Sequence, residues 1–262
     1  MGRENDRLAK GLNILLVGEE SAGIQTLRML SRYDQHRIVA VMASPSKKNG
    51  VTASLWDAAR EFGYRTWPAK LVKDPNLAND LRAEYVDILL NVHSLFIINK
   101  EVLNAPRIGS FNMHPGPLPR YAGLNTPSWA IYRGENAYGV TIHKMLPEID
   151  AGPIVYQSCF SIEDNETGLS LSSKCVKAGL PLVSRLLETA SCDPDAIPLI
   201  PQEITKREYF GREIPNEGRI NWSLRAQEII NFVRACDFFP FASPWGHPRT
   251  ALRNQKIGIA KA

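Results

Sequence analysis

The first strand and helix of the fold are encoded by LNILLVGEESAGIQTLRML, residues 12–30. Residues 12–18 are apolar and end in glycine, which is typical of a buried strand. The polar EESAG that follows predicts a turn, and apolar residues at helical spacing over 24–33 predict a helix. A buried strand that passes directly into an amphipathic helix indicates a β-α-β unit with parallel strands.

The rest of the first half continues this alternation. The sequence predicts a second buried strand, two helices, a central strand and a helical turn, at residues 38–43, 52–62, 74–84, 86–92 and 100–103. Because crossovers between parallel strands are right-handed, the expected fold class is α/β, with a doubly wound, mostly parallel, Rossmann-like sheet. Ligands of such sheets bind beyond the carboxyl ends of the strands, near a topological switch point.

The second half adds shorter elements. A helix begins near Pro127, and an alternating strand, a loop around Asp150 and another strand follow it. The pattern then predicts a helix interrupted near Pro181, a linker, a strand, a helix and a β-hairpin, at 167–187, 194–201, 218–221, 224–235 and 250–260.

Residues 1–200 are expected to form the main domain, and residues 201–262 a linker and the start of a small, partly truncated β-domain. Since a hairpin needs further strands for stability, the chain is expected to be part of a longer polypeptide.

Composition argues against several protein classes. The 262 residues carry 31 Lys and Arg against 27 Asp and Glu, and the net charge of +4 is too small to indicate nucleic acid binding by itself. The four cysteines show no CxxC pair or metal-ligand spacing, so no metal site is expected. No apolar run approaches the roughly 18 residues that span a bilayer, and the polar start lacks a secretory apolar segment. A cytoplasmic protein without a membrane partner is expected.

The segment with the most chemistry is FNMHPGPLPRYAG, residues 111–123, whose prolines and glycines predict a rigid, turn-rich loop. Asn112 and His114 are two residues apart, so in an extended segment they point to the same face. Asp150 follows a strand and can return to the same edge of the sheet. A His held by a carboxylate moves protons near neutral pH, and an Asn amide can donate to an oxyanion.

These residue types suit acyl transfer to an amine. The absence of a GxSxG motif favours direct transfer over a covalent intermediate. Spacing alone leaves the alternative open that Asn112 and His114 form a surface turn and that Asp150 is a turn residue. Gly18 and Gly23 fit either a tight strand-to-helix turn or a loop whose amides face a substrate. His143, on the predicted strand 139–144, is expected to pack behind the site rather than to act as a catalyst.

Residues 111–155 closely resemble the folate-dependent formyltransferases, which include the methionyl-tRNA, glycinamide-ribonucleotide and nucleotide-sugar enzymes. The shared elements occur in the family's order: Asn-x-His, a Pro-rich loop, a WAI-like helix, Gly-Val-Thr and Asp-x-Gly. The resemblance extends over most of residues 12–190, which implies that residues 1–200 are a formyltransferase domain. Residues 209–235 resemble the link into the small C-terminal domain of the tRNA and sugar branches, which implies that residues 201–262 begin an OB-like domain.

This resemblance implies the donor and the catalytic residues. The donor is 10-formyltetrahydrofolate, with no metal. Asn112 holds the formyl oxygen and stabilises the tetrahedral oxyanion, while His114, partnered by Asp150, assists proton transfer from the amine. The pterin of the donor is expected to bind between the segment of residues 96–98 and the loop of residues 145–150. The expected contacts are Phe96, Ile97 and Ile98 from the segment, and Met145, Leu146, Ile149 and Asp150 from the loop.

The acceptor is the open question. The family's Ser-Leu-Leu-Pro is Gly-Pro-Leu-Pro at 116–119, and a second Arg often found in the family is Ala122 here. Acceptor contacts are expected from Gly18, Pro117, Arg120 and Tyr121. The favoured acceptor is the primary amine of a small molecule, a nucleotide sugar or a carrier-bound aminoacyl group. The alternatives are a methionyl-tRNA formyltransferase, a 10-formyltetrahydrofolate hydrolase and an inactive folate-binding module.

Overall fold

The computed structural model of the chain describes residues 10–45, 54–253 and 255–262. Eleven strands occur in these residues: β1 Asn13–Gly18, β2 Arg37–Ala43, β3 Thr66–Pro68, β4 Ile88–Val92, β5 Gly109–His114, β6 Ala122–Gly123, β7 Ala137–Lys144, β8 Ile154–Ser161, β9 Tyr209–Phe210, β10 Arg249–Leu252 and β11 Gln255–Gly258. Within the same residues no helix is long and apolar enough to cross a membrane.

In the described part of the chain, seven α-helices connect or follow these strands: α1 Glu20–Leu30, α2 Leu55–Glu61, α3 Leu77–Ala83, α4 Lys100–Leu103, α5 Thr126–Arg133, α6 Gly168–Cys192 and α7 Ala226–Ala235. Helix α2 begins after Ser54, whose hydroxyl accepts a hydrogen bond from the Asp57 amide at 3.1 Å. This cap explains the helix start near the predicted position, although the first predicted residues, 52 and 53, lie outside the described chain.

The main sheet has seven strands in the order β3-β2-β1-β4-β5-β7-β8. Strands β1 to β5 pair in parallel, and β7 runs antiparallel to β5. The predicted doubly wound, mostly parallel sheet is therefore confirmed. The chain moves outward from β1 to β3 and then returns to β4 beside β1, so the switch point lies between β1 and β4.

Gly18 ends β1 at this switch point. A Cβ atom on Gly18 would lie 2.7 Å from the Val92 carbonyl oxygen of β4, so only glycine allows this close approach of the two strands. The next amide, that of Glu19, donates to the same oxygen at 3.3 Å. The turn after β1 is therefore used in packing, as one of the two sequence interpretations expected.

The sequence predicted a loop over residues 111–123, and this prediction is wrong for the first residues, which include Asn112 and His114. Both residues lie on β5, which pairs with β4 on one side and with β7 on the other. The strand ends at His114 because Pro115, the next residue, has no N–H for a ladder hydrogen bond. The turn-rich segment thus begins after the chemically important residues.

Three further predictions differ from the structure. Helix α6 continues through Pro181 without interruption, because its apolar face is buried on both sides of the proline, including at Val176 and Val183. The segment 194–201, predicted as a linker, is bonded to β8: Ile200 and Ile154 exchange two backbone hydrogen bonds of 2.8 and 2.9 Å. The predicted strand at 218–221 is a 3₁₀ turn followed by an isolated bridge at Arg219.

The structure also contains three short strands that the sequence did not predict, β3, β6 and β9. Strand β3 has only three residues, half-buried at the edge of the sheet, and its run is too short for periodicity to reveal. The predicted C-terminal hairpin is confirmed as the antiparallel pair β10 and β11. Its turn residue Asn254 lies outside the described residues.

The chain forms two compact units. One consists of residues up to 114 with 141–157 and 179–202, and the other of 115–140, 158–178 and 203–262. The core of the first unit is a cluster of buried apolar side chains from its strands and helices, among them Leu15, Val17, Leu89 and Ile98. The sequence-based division into residues 1–200 and 201–262 stays a prediction.

Candidate active site

Strand β5 presents alternating side chains. Phe111 and Met113 are buried on one face, so Asn112 and His114 share the other, and both of these polar residues are also buried. The neighbouring strand β4 places Asn91 beside Asn112. A row of polar side chains therefore stands at the carboxyl end of the sheet, within the first compact unit.

Strand β7 and the loop after it complete the cluster. β7 places His143 opposite Asn112. The loop of residues 145–153 then folds back, since the Lys144 amide donates to the Pro153 carbonyl oxygen at 2.9 Å. A Cβ on Gly152 would lie 1.8 Å from the Lys144 carbonyl oxygen, so this turn requires glycine. The loop brings Asp150 back to β5.

Asp150 is the centre of the cluster. Its carboxylate lies 3.5 Å from Nδ1 of His114, 3.3 Å from Nε2 of His143 and 3.4 Å from Nδ2 of Asn112. The backbone of Asp150 has a φ of +50°, in the left-handed region, which Asp tolerates better than most residues. The structure thus brings together the three residues that the sequence selected as catalytic.

The contacts assign the protons of the cluster. Nδ1 of His143 lies 3.0 Å from the Lys144 carbonyl oxygen, which can only accept, so Nδ1 carries the hydrogen. Nδ2 of Asn112 can only donate, so Nε2 of His143, 3.1 Å away, accepts its hydrogen bond. His143 therefore orients Asn112, in agreement with the predicted supporting position behind the site.

A second imidazole lies near His114. His93 directly follows β4 and has a φ of +55°, again in the left-handed region. Burial, with a smaller contribution from the charge of His114, lowers the pKa of His93 to about 4. His93 is therefore uncharged at neutral pH and adds no positive charge beside His114.

A buried carboxyl group stands at the switch point. Glu19, which follows β1, accepts hydrogen bonds from the amide and the hydroxyl of Ser44, at 2.8 and 2.6 Å. Burial is the main cause that raises the pKa of Glu19, and the bonds from Ser44 oppose it.

Gln202 holds the Asp150 loop from outside it. Its Nε2 donates to the carbonyl oxygens of Asp150 and Gly152, at 2.9 and 2.6 Å. Gln202 could not be predicted from the sequence, because it lies 52 residues from Asp150 in a segment that resembled a linker. Asn91 was not predicted either, although a polar residue inside the apolar strand 86–92 was the available signal.

The residues predicted to bind the folate lie in the same unit. Phe96 and Met145 pack against the buried core cluster, and Ile98 belongs to that cluster. Ile97, Leu146 and Ile149 are exposed apolar side chains, as is their neighbour Leu95. Two segments that flank the catalytic cluster in sequence therefore expose apolar side chains while they remain anchored in the core.

The predicted acceptor residues are divided between the units. Gly18 belongs to the first and Pro117, Arg120 and Tyr121 to the second. Arg120 pairs with Glu135 and Glu208 at 2.5 and 3.2 Å. Tyr121 is buried and donates its hydroxyl to Glu135 at 2.8 Å. An anionic ligand would have to compete with these two carboxylates for the Arg120 guanidinium, and all four assignments stay predictions.

A family model described as formyl transferase matches residues 12–187. Solved structures of similar fold include an N-formyltransferase from Helicobacter canadensis in complex with folinic acid and dTDP-3-aminofucose. It is 21% identical, with 86% of this chain and 80% of that chain covered and a TM-score of 0.68.

Two other solved structures resemble the chain over most of its length. WlaRD, a sugar 3-N-formyltransferase determined in the presence of dTDP and 5-N-formyl-THF, is 24% identical, with 94% of this chain and 84% of that chain covered and a TM-score of 0.71. A 4-N-formyltransferase from Francisella tularensis is 18% identical, with 95% and 96% covered and a TM-score of 0.74. At these identities the likeness shows the fold.

Proposed function

The chain belongs to the formyl transferase family, and on this premise we propose that it transfers a formyl group from 10-formyltetrahydrofolate to a primary amine. The observation that supports this most is the convergence of Asn112, His114 and Asp150 at the carboxyl end of β5. When bound, the donor supplies a formyl carbon attached to a nitrogen that leaves as an amine of tetrahydrofolate.

The side chains around the cluster suit the faces of a flat ring system. Ile97 is 67% exposed, and Leu146 and Ile149 are 41% and 39% exposed. Apolar side chains at the rim of a polar site are what small-molecule pockets use to hold a ring, while a few polar groups set its orientation. The proposed folate contacts are Phe96, Ile97, Ile98, Met145, Leu146, Ile149 and Asp150.

Asn112 supplies the hydrogen-bond donor for the carbonyl. Its Nδ2 has a weak contact of 3.4 Å with Asp150, and this contact can give way to a formyl oxygen. Negative charge grows on that oxygen as the amine attacks, so a fixed N–H donor stabilises the transition state more than the ground state.

His114 accepts the proton that the attacking amine loses. Asp150 faces Nδ1 of His114, which holds the hydrogen on Nδ1 and makes Nε2 the nitrogen that accepts a proton. As the new C–N bond forms, the amine proton moves to Nε2, and the departing donor nitrogen then receives a proton. Asp150 stabilises the imidazolium between these two transfers.

For the acceptor, we propose the primary amine of a small molecule, a nucleotide sugar or a carrier-bound aminoacyl group. The dTDP-3-aminofucose of the H. canadensis structure and the dTDP of the WlaRD structure support a small acceptor. The loop at 116–122, which departs from the family pattern, is the proposed site of acceptor choice. Methionyl-tRNA stays an alternative.

The direct test combines the purified protein, 10-formyltetrahydrofolate and a panel of amines. The panel contains a nucleotide amino sugar, an aminoacyl-pantetheine thioester and methionyl-tRNA. We expect one amine to yield tetrahydrofolate, followed by absorbance, and an equal amount of formamide, identified by mass spectrometry. Formate release at the same rate without any amine would indicate a hydrolase and contradict the proposal.

Gln202→Ala is predicted to lower kcat without a large loss of stability. The variant frees the carbonyl groups of Asp150 and Gly152, and misplacement of Asp150 should cost about 10- to 10²-fold in kcat. The amides of residues 145–152 should exchange hydrogen faster than in the wild type. Gln25→Ala, which removes an amide bonded to Ser21 within α1, is the control. Wild-type exchange and kcat in Gln202→Ala would contradict the predicted role.

A further inference from the structure

Strand β4 carries a buried amide where its neighbours are apolar. Asn91 lies between Leu90 and Val92, both fully buried, and is itself only 8% exposed. Its Nδ2 donates to Oδ1 of Asn112 at 2.9 Å, directly across the parallel pair of strands. A buried polar side chain in an apolar strand destabilises the fold unless its hydrogen bonds are satisfied.

The hydrogen bonds of Asn91 are satisfied on one side only. Within the part of the chain that the structure describes, its Oδ1 is buried without a hydrogen-bond partner. An apolar residue of similar size would remove this unpartnered acceptor but would leave Oδ1 of Asn112 without its donor instead. Asn91 therefore brings the strand no net gain in satisfied acceptors, and what it adds is its contact with Asn112.

The contact bears on a chemical ambiguity of Asn112. The two ends of an amide have nearly the same shape, but one donates and the other accepts. Nδ2 of Asn112 must face the reacting carbonyl, because an oxygen in its place would repel the developing negative charge. Asn91 donates to the oxygen end, and Nε2 of His143 accepts from the nitrogen end at 3.1 Å. Both contacts select the same orientation.

We propose that Asn91 is a positioning residue that fixes the orientation of the Asn112 amide, so that Nδ2 faces the formyl group. This inference rests on the proposed function. It assigns Asn91 no contact with substrate: its effect passes through Asn112. His143 holds the opposite end of the same amide.

Asn91→Asp tests the orientation with an almost isosteric change. An ionised carboxylate can only accept, so Asn112 should turn its Nδ2 toward residue 91 and present Oδ1 to the site. Where residue 91 is ionised, we expect kcat to fall by about 10²-fold, the effect of losing one oxyanion donor. The KM for the folate should change less than kcat, because Asn91 contacts no ligand.

The same variant predicts an unusual pH dependence. A protonated carboxyl group can donate to Asn112 Oδ1 as Asn91 does, and burial favours the protonated form. The ratio of variant to wild-type kcat should therefore rise as pH falls. The titratable groups of the site, His93, His114, His143 and Asp150, are common to both proteins, so the ratio isolates residue 91. A low ratio that is independent of pH would reduce Asn91 to a structural role.

Two further variants separate orientation from folding. Asn91→Leu removes the unpartnered Oδ1 of residue 91 but leaves Oδ1 of Asn112 without a donor. The number of buried unpartnered acceptors is therefore unchanged, and thermal stability should change little. The kcat should fall at every pH, because leucine does not titrate. Asn79→Asp, the same chemical change on the exposed face of α3, should behave as the wild type. Wild-type kcat in both Asn91 variants would overturn the inference.

A measurement that does not depend on activity distinguishes this inference from the proposed function. In ¹⁵N spectra of the wild type, His143 should carry one hydrogen, on Nδ1. In Asn91→Asp, at a pH high enough to ionise residue 91, Oδ1 of Asn112 should face Nε2, so Nε2 should also carry a hydrogen. If the wild type transfers no formyl group but His143 changes as expected, the proposed function fails and the positioning role stands. If His143 is unchanged, the positioning role fails.

Discussion

Asn112→Ala is expected to lower kcat by about 10²- to 10³-fold, the usual effect of removing one donor that stabilises an oxyanion. The variant deletes the N–H group while His114 and Asp150 remain, so the proton transfers stay intact. It also leaves Nδ2 of Asn91 and Nε2 of His143 without their partner. The measurement is steady-state kcat with a saturating amine acceptor.

The variant must be shown to fold and to bind its donor. Calorimetric titration with 5-formyltetrahydrofolate, a stable analogue, should give an affinity close to that of the wild type, because the proposed ring contacts are elsewhere. Asn112→Asp is the matched isosteric variant. It replaces the donor with a carboxylate beside Asp150 and should be at least as inactive as Asn112→Ala. A kcat within about fivefold of the wild type in both variants would contradict the role of Asn112.

Asp150→Asn should have an effect of comparable size, about 10²- to 10⁴-fold in kcat, through loss of assisted proton transfer. The carboxylate faces His114, His143 and Asn112 at distances between 3.3 and 3.5 Å. An amide keeps the shape but loses the charge that, in the proposed mechanism, stabilises the imidazolium of His114. Asn also tolerates the left-handed backbone at this position, so the loop should keep its conformation.

Two controls make this result specific to charge. Asp150→Glu restores the carboxylate with a longer side chain and should recover part of the lost kcat. Hydrogen exchange of residues 145–153 in Asp150→Asn should match that of the wild type. Activity of Asp150→Asn near the wild-type level would mean that His114 needs no carboxylate, and the proton-transfer role would then be wrong.

The sequence alone located much of the fold. Apolar runs and helical periodicity predicted the strands β1, β2 and β4 and the helices α1 and α2, because each pattern lies within a short window. Predictions from such short windows were wrong where tertiary contacts override the local preference of the chain. Pro181 does not break α6, since burial on both sides stabilises the helix, and β5 extends to His114, since two neighbouring strands pair with it.

Asn112, His114 and Asp150 could be selected as candidate catalytic residues from the sequence alone. Their residue types, their spacing and the order of the family's motif elements can all be read directly from the chain. Only the tertiary structure decided how these side chains are held. Asn91 reaches Asn112 across 21 residues of chain, His143 across 31, and Gln202 reaches Asp150 across 52. Such contacts depend on strand register and loop closure, which no single stretch of sequence specifies. The orientation of the Asn112 amide is therefore a property of the folded sheet.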